Sequence, residues 1–294
     1  MELKGIITAM VTPMTKEQKI DENVTKQLVN HLIDAGVNGI FILGTNGEFH
    51  LLSNEEKIEL AKIVIKEVSG RAPVFVGTGG NRTEEVIELS KKMEKIGADA
   101  LSIITPYFIP VTQDEVINHY KKIAASTSLP ILLYNIPSKT GMTLEPETVA
   151  ELSKVDNIIG IKDSSGKFEN IQNYIEITKN SKNFGVLAGT DSLILKTLMA
   201  GGKGAIAATS NMIPDIVVSI YKNWKNGNIE AAEKAQEELQ PLRDTFKYGT
   251  LPSILKKAVE LYSIPVGPPR LPAAEPTGQA LEKVKEMVKF YKNK

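Results

Sequence analysis

With 294 residues, 42% of them hydrophobic and 24% charged, the chain is long enough for one large core or a core with an appended domain. Lys+Arg and Asp+Glu balance at 35 each, which leaves no overall basic field for nucleic acid and no acidic excess to suggest a disordered tail, and so favours a small-molecule partner. No cysteine is present, and that excludes disulfides, thiolate metal sites and cysteine nucleophiles together.

The N-terminal stretch MELKGIITAMVTPM holds too brief an apolar run for a secretory leader, and no later run approaches membrane-spanning length. A cytoplasmic protein without membrane association is expected. From residue 5 onward, short apolar runs recur: GIITAMV (5–11), GIFIL (39–43), PVFVG (73–77), ALSII (100–104), ILLYN (131–135), IIGIK (158–162), GVLAG (185–189) and GAIAA (204–208). Between them lie amphipathic segments such as DENVTKQLVNHLIDAG and TEEVIELSKKMEKIGA, with apolar residues at helical spacing and glycine near the helix end. Continuous apolar strands alternating with helices predict a parallel sheet covered on its outer face. Eight such units in this length predict a TIM (β/α)8 barrel over an open doubly wound sheet. After AATSNMIP the strand signal stops, and DIVVSIYKNWKNG, IEAAEKAQEELQPLRDTF, LPSILKKAVELY and GQALEKVKEMVKFYKN read as helices. The expected division is a barrel over 1–225 and a C-terminal helical domain over 226–294, with the proline-rich PVGPPRLPAAEP (265–276) as an extended connection before the last helix.

In such a barrel the active site sits at the C-terminal ends of the strands, so the polar residues that follow each apolar run carry the information. Strand 1 leads to Thr12, strand 2 to GTNGE (44–48), strand 4 to TPYF (105–108) and strand 7 to GTDS (189–192), while strand 5 holds Tyr134 near its end and strand 6 ends at Lys162. Each alone has an ordinary reading: a lysine that snorkels to water, an aromatic in a barrel layer, turn and cap residues. Together they place a lysine, a phenol and hydroxyls at one mouth. Burial disfavours the charged form of an amine, and a neutral lysine is a nucleophile. It can attack the carbonyl of a 2-oxo acid, lose water and form a Schiff base, an electron sink for making or breaking the adjacent carbon–carbon bond. Tyr134 would move protons, oriented by a hydroxyl such as Thr45, and the TNG turn would offer backbone N–H groups and the Asn46 amide to the carboxylate. The set needs no metal or cofactor. His31, His50 and His119 lack paired ligand spacing and read as helix or loop residues. The glycine-rich GTGGN (77–81) and GGKGA (201–205) lack the G-x-G-x-x-G spacing of a phosphate loop and suit tight turns.

In order and separation, GTNGE, TPYF, YNIPSKTG (134–141) and GIKDSSG (160–166) resemble the dihydrodipicolinate synthase and N-acetylneuraminate lyase family of pyruvate-dependent Schiff-base enzymes, over essentially the whole chain. The resemblance implies that Lys162 is the Schiff-base lysine, Tyr134 the proton shuttle and Thr45 the hydroxyl that orients it. It further implies that Asn46 and Gly47 hold the pyruvate carboxylate and that Ile206 presents its backbone carbonyl to the bound keto acid. A homo-oligomer is implied too, a tetramer in the family, with the PYF loop against a partner barrel.

Several positions depart from the synthase pattern. Asn46 replaces the second hydroxyl residue of GTTGE, Phe108 replaces the tyrosine that reaches a neighbour's proton relay, and Lys139 replaces the arginine that grips the semialdehyde carboxylate. A lysine keeps the charge but loses the planar bidentate fork. KDSSG is closer to the sugar-acid aldolase branches than KEATG, and Gly189 and Asp191 match the sugar-contacting G-x-D of the neuraminate lyases, although YNIPSKTG lacks their YNIPALSG. The expectation is therefore a class I lyase that cleaves or forms a 2-oxo-3-deoxy acid from pyruvate and an aldehyde, with the synthase of lysine biosynthesis as the alternative. A binding protein on a retained barrel is disfavoured by the intact Lys162, Tyr134 and Thr45. A phosphosugar isomerase would have only Glu48 to serve as its strand-end base.

Overall fold

A computed structural model describes residues 1–294. Eight parallel strands close into a barrel in sequence order: β1 (Gly5–Ala9), β2 (Gly39–Ile42), β3 (Val74–Gly77), β4 (Ala100–Ile104), β5 (Ile131–Asn135), β6 (Ile158–Asp163), β7 (Gly185–Ala188) and β8 (Gly204–Ala207). Every apolar run of the sequence supplies one strand. The edges differ slightly: β1 ends at Ala9 rather than residue 11, and β6 runs on to Asp163. The ring closes where β8 pairs with β1, Ile206 lying opposite Ile7.

Around it pack α1 (Glu22–Asp34), α2 (Asn54–Val68), α3 (Thr83–Ile96), α4 (Gln113–Ala124), α5 (Pro137–Thr140), α6 (Pro146–Leu152), α7 (Phe168–Thr178), α8 (Ile194–Met199) and α9 (Pro214–Lys225). Their starts are written locally. Asp21 accepts from the Val24 N–H at the start of α1, and capping boxes of Ser53 with Glu56 and Thr112 with Glu115 open α2 and α4. Inside the ring, Leu3, Ile7, Phe41, Phe75, Leu132, Leu187 and Ile206 belong to a compact apolar cluster that fills the barrel below its mouth. Burying each such side chain stabilises the fold by about 1.5–3 kcal/mol. The plugged interior leaves the C-terminal mouth for chemistry.

One irregularity matters for the site. Between β5 and β6 the register shifts by one residue, from Ile131 opposite Ile158 to Leu132 opposite Gly160. Because side chains alternate faces, this extra residue resets the phase of β6 and brings Tyr134 opposite Lys162, both pointing inward, while Asn135 and Asp163 face the helices.

Beyond α9 the chain forms α10 (Ile229–Glu237), α11 (Gln240–Thr245), α12 (Leu251–Tyr262) and α13 (Gly278–Lys292). The segment IEAAEKAQEELQPLRDTF, expected as one helix, is two. Pro241 lacks an N–H and its ring clashes with the preceding turn, so the first helix ends and α11 begins anew with the proline in its first turn. These helices share one continuous cluster of 71 buried apolar residues with the barrel, which joins Leu242, Ile254, Val259 and Val284 to Met14, Leu28 and Val217. The proline-rich segment lies extended between α12 and α13 and ties back to the barrel: the Met14 N–H donates to the Val266 carbonyl at 3.0 Å. Beside it lies a fully buried ion pair, Lys256 Nζ to Glu48 Oε1 at 2.9 Å, completed by the Arg270 N–H on Glu48 Oε2 and the Pro268 carbonyl on Lys256.

Candidate active site

The inward residues at the ends of β5 and β6 form the centre of the mouth. Lys162 is buried, with its Nζ 4.0 Å from the centroid of the Tyr134 ring and 5.2 Å from that of Phe41. No carboxylate pairs with it. Asp163, next in sequence, points the other way and accepts from Asn135 Nδ2 at 2.7 Å and Ser165 Oγ at 2.6 Å; burial raises its pKa above the usual carboxylate range. The Lys162 amine thus faces the cavity between two aromatic rings and meets no carboxylate. The Tyr134 hydroxyl lies 3.1 Å from Thr45 Oγ1, a hydrogen bond that joins β5 to the loop after β2.

That loop leaves two backbone N–H groups free. Leu43 and Glu48 adopt left-handed backbone conformations on either side of the TNG turn, and the N–H groups of Asn46 and Gly47 have no partner within the protein. Thr12 Oγ1 donates to the Gly47 carbonyl at 2.7 Å and fixes the turn against the end of β1. Free N–H groups in such a turn form a nest for a carboxylate.

Gly189, just past β7, is there for space. A Cβ at this position would stand 2.1 Å from Ser164 Oγ and 2.9 Å from Lys162 Cε, so any side chain would displace the lysine. Asp191 is buried and its carboxylate is already engaged: it accepts from the Ala208 N–H at 3.1 Å and the Thr209 N–H at 2.7 Å, holding the turn after β8. The Asp191 side chain borders the cavity while serving as a backbone clamp.

One cavity of about 720 Å³ brings together Thr45, Asn46, Tyr134, Lys139, Lys162, Gly189, Asp191 and Ile206. Gly47 stands just behind this surface. Residues without a conspicuous place in the sequence line it as well: Ser164, His50, and, from the C-terminal helices, Arg243, Phe246, Thr250 and Leu251. Ser164 could have been found, since it follows Lys162 by two residues, on the same face. The C-terminal residues carry no strand-end signal, because they reach the mouth through the packing of α11 and α12 over the barrel. Glu48 also lines the cavity, but its pairing with Lys256 removes it as a free base. Burial pulls the pKa of Lys256 down while the carboxylate of Glu48 opposes that shift.

His119 lies away from the mouth on α4, with Nδ1 2.9 Å from Thr83 Oγ1. His31 lies on α1. No helix of the protein is long and apolar enough to cross a membrane.

Comparison with known proteins places this geometry. The model of the dihydrodipicolinate synthetase family matches residues 2–291. A 4-hydroxy-tetrahydrodipicolinate synthase of Methanopyrus kandleri is 40% identical over 290 residues, 98% of this chain and 95% of the relative. The crystal structure of dihydrodipicolinate synthase from Thermotoga maritima superposes with a TM-score of 0.95 at 32% identity, covering 99% of both chains. A prophage protein of E. coli K12 belonging to the same family, solved in complex with pyruvate, superposes with a TM-score of 0.93 at 32% identity over 99% of this chain and 98% of its own. The barrel, the buried lysine beside its tyrosine and threonine, and the match along the full chain have one explanation: the protein belongs to the dihydrodipicolinate synthetase family and is a Schiff-base-forming, pyruvate-dependent carbon–carbon lyase.

Proposed function

We propose that the protein condenses pyruvate with aspartate semialdehyde to give 4-hydroxy-tetrahydrodipicolinate. The observation that carries the chemistry is the lysine at the end of β6, buried without a counter-ion beside the Tyr134–Thr45 hydrogen bond. The curated relatives that match the full chain bear the synthase name, and they weigh more than the departures at Phe108 and Lys139.

In this reading the pyruvate carboxylate rests on the N–H groups of Asn46 and Gly47, and the Ile206 carbonyl faces the keto acid. The Lys162 amine adds to C2, the carbinolamine hydroxyl takes a proton from Tyr134 and leaves as water, and an imine forms. Tyr134, now a phenolate held by Thr45, removes a proton from C3 to give the enamine. C3 then attacks the aldehyde carbon, and the new alkoxide is protonated by Tyr134. The amino group of the semialdehyde attacks C2, forming the ring and releasing Lys162. Lys139 draws the semialdehyde carboxylate, and Gly189 leaves the space in which the imine turns.

Borohydride treatment with pyruvate, followed by peptide mass mapping, tests the first step. One reduced pyruvate on Lys162 is expected, and labelling elsewhere or nowhere would refute it. A coupled assay with aspartate semialdehyde tests the second.

The aldolase reading, with a hydroxylated aldehyde such as glyceraldehyde, retains two specific supports: Phe108 has no proton to pass and Lys139 has no fork. Against it, the Asp191 carboxylate is taken up by backbone N–H groups and has limited capacity for a sugar hydroxyl. A higher kcat/KM for glyceraldehyde than for aspartate semialdehyde, at saturating pyruvate, would decide for the aldolase. We also propose self-association through the loop after β4, where Phe108 is 87% exposed and Ile109 69%. Light scattering at micromolar concentration reads this directly, and a clean monomer would remove it.

A further inference from the structure

The charges that line the cavity do not balance. Its two carboxylates are committed elsewhere, Glu48 to Lys256 and the Arg270 N–H, and Asp191 to the N–H groups of Ala208 and Thr209. Three cations remain on the same surface, Lys139, Lys162 and Arg243, and none of them meets a carboxylate. Lys162 is accounted for by its amine chemistry. Lys139 stands on α5, beside the end of β5, and offers a single ammonium. Arg243 stands across the cavity on α11, half-buried, with no hydrogen bond from its guanidinium, and the one acid of its helix, Asp244, is held by Gln240 at 2.7 Å.

An arginine left half-buried without a partner costs desolvation that nothing within the protein returns. The cavity of about 720 Å³ also exceeds what a three-carbon keto acid fills, so room remains along the wall that α11 and α12 provide. We propose that Arg243 is a specificity-determining residue that receives a carboxylate at the tail of the aldehyde substrate. The planar guanidinium supplies the bidentate contact that Lys139 cannot, so the two cations grip one carboxylate from the barrel side and the C-terminal side. The break at Pro241 has a role in this arrangement: it ends α10 and starts α11 afresh, which turns Arg243 toward the mouth. The inference rests on the proposed use of a carboxylate-bearing aldehyde and assigns its recognition to a residue outside the barrel.

The experiment uses the full-length enzyme loaded with saturating pyruvate and two aldehydes of the same length. Succinate semialdehyde ends in a carboxylate and lacks the amine needed to close the ring; butanal ends in a methyl group. Apparent affinities are measured for wild type, Arg243→Gln and Arg243→Lys, with thermal unfolding as the check that each variant folds. Wild type is expected to prefer succinate semialdehyde over butanal. That preference should fall about tenfold or more in Arg243→Gln and recover in part in Arg243→Lys, as expected for a charge-assisted contact. A preference unchanged in folded Arg243→Gln overturns the inference and leaves the proposed reaction standing. A wild type that traps pyruvate on Lys162 but shows no preference for the carboxylate overturns the proposed substrate and the inference together. A glyceraldehyde 3-phosphate arm separates the two anions: a stronger Arg243-dependent preference for the phosphate ester over succinate semialdehyde overturns the carboxylate assignment.

Discussion

The two ends of the cavity are built differently. The end proposed to hold pyruvate is made of residues at the ends of strands: Lys162 on β6, Tyr134 on β5, and Thr45, Asn46 and Gly47 in the turn after β2. Lys162 and Tyr134 are fixed by the strand ladder of the closed ring, and the turn is tied to it by Thr12 and by the Thr45–Tyr134 hydrogen bond. The end proposed to hold the aldehyde is made of Lys139 on a four-residue helix and of Arg243, Phe246 and Thr250 on short segments of the C-terminal region. On that proposal the difference teaches how one fold can keep a reaction and change a substrate: chemistry on the ring, selectivity on helices laid over it.

The most severe break of this comparison is at the ring. Tyr134→Phe keeps the ring stacked near Lys162 and removes the only hydroxyl bonded to Thr45, so turnover should fall by about 10²–10⁴-fold, the usual range for one acid–base group. The KM for the aldehyde should move far less. Steady-state kinetics read both, and a Tyr134→Phe enzyme with near-wild-type kcat would assign the proton transfers to another group.

Next in size is the tie between the two ends. Glu48, in the loop that carries Thr45, and Lys256 on α12 are 208 residues apart in sequence and wholly buried as a pair. Lys256→Ala leaves the Glu48 carboxylate buried with only the Arg270 N–H, which should cost about 3–5 kcal/mol. Replacing both by residues of similar size, Glu48→Gln with Lys256→Met, should recover much of the loss. Chemical denaturation measures the cycle; a Lys256→Ala loss below about 1 kcal/mol, the scale of a surface pair, would show that the pair does not join the ends.

A third measurement titrates a helix that belongs to neither end. His119 on α4 is held below its usual pKa, to about 4, by burial. The unfolded chain binds this proton from about pH 6.5 downward, the folded one only near pH 4, so between those values the unfolded state carries more protons. The contribution to stability is therefore complete above about pH 6.5 and is lost as pH falls toward 4. His119→Asn should flatten the acid limb of a stability–pH curve in that window, and an unchanged limb would place the lost stability in other groups.

The same contrast explains what the sequence shows and what it hides. Eight buried parallel strands read as continuous apolar runs, and the residues directly behind them, Lys162 and the GTNGE turn, inherit their position from the strand. That is why the barrel and the meeting of Lys162, Tyr134 and Thr45 at its mouth are legible. The one-residue shift between Ile131 and Leu132 is not, because Ile159 is as apolar as its neighbours and nothing in IIGIK marks it as the extra residue. Nor is the pairing of Glu48 with Lys256, which closes only when the C-terminal helices dock. Arg243 sits in a segment whose pattern resembles an uninterrupted helix, and the proline that breaks it looks minor until the break is seen to present the arginine to the cavity.

The smallest expected effect tests the aldehyde end alone. Lys139→Arg introduces a planar fork at the position where the resemblance to the synthases implies an arginine. A bidentate contact in place of a point contact is worth about 1 kcal/mol, roughly fivefold to tenfold in kcat/KM for aspartate semialdehyde. If Arg243 already supplies the fork, the substrate carboxylate has few lone pairs left to accept a second one, and the gain in an otherwise intact enzyme should shrink to about twofold, since neighbouring contacts to one group are not additive. In the Arg243→Gln background the carboxylate is free again, and Lys139→Arg should then recover its full fivefold to tenfold effect. The double-mutant cycle thus distinguishes two architectures for one end of one cavity. A full gain in both backgrounds would mean that Lys139 acts alone and that the C-terminal helices close the cavity without reading the substrate; a gain that appears only when Arg243 is removed would mean that recognition has moved from the barrel rim to α11.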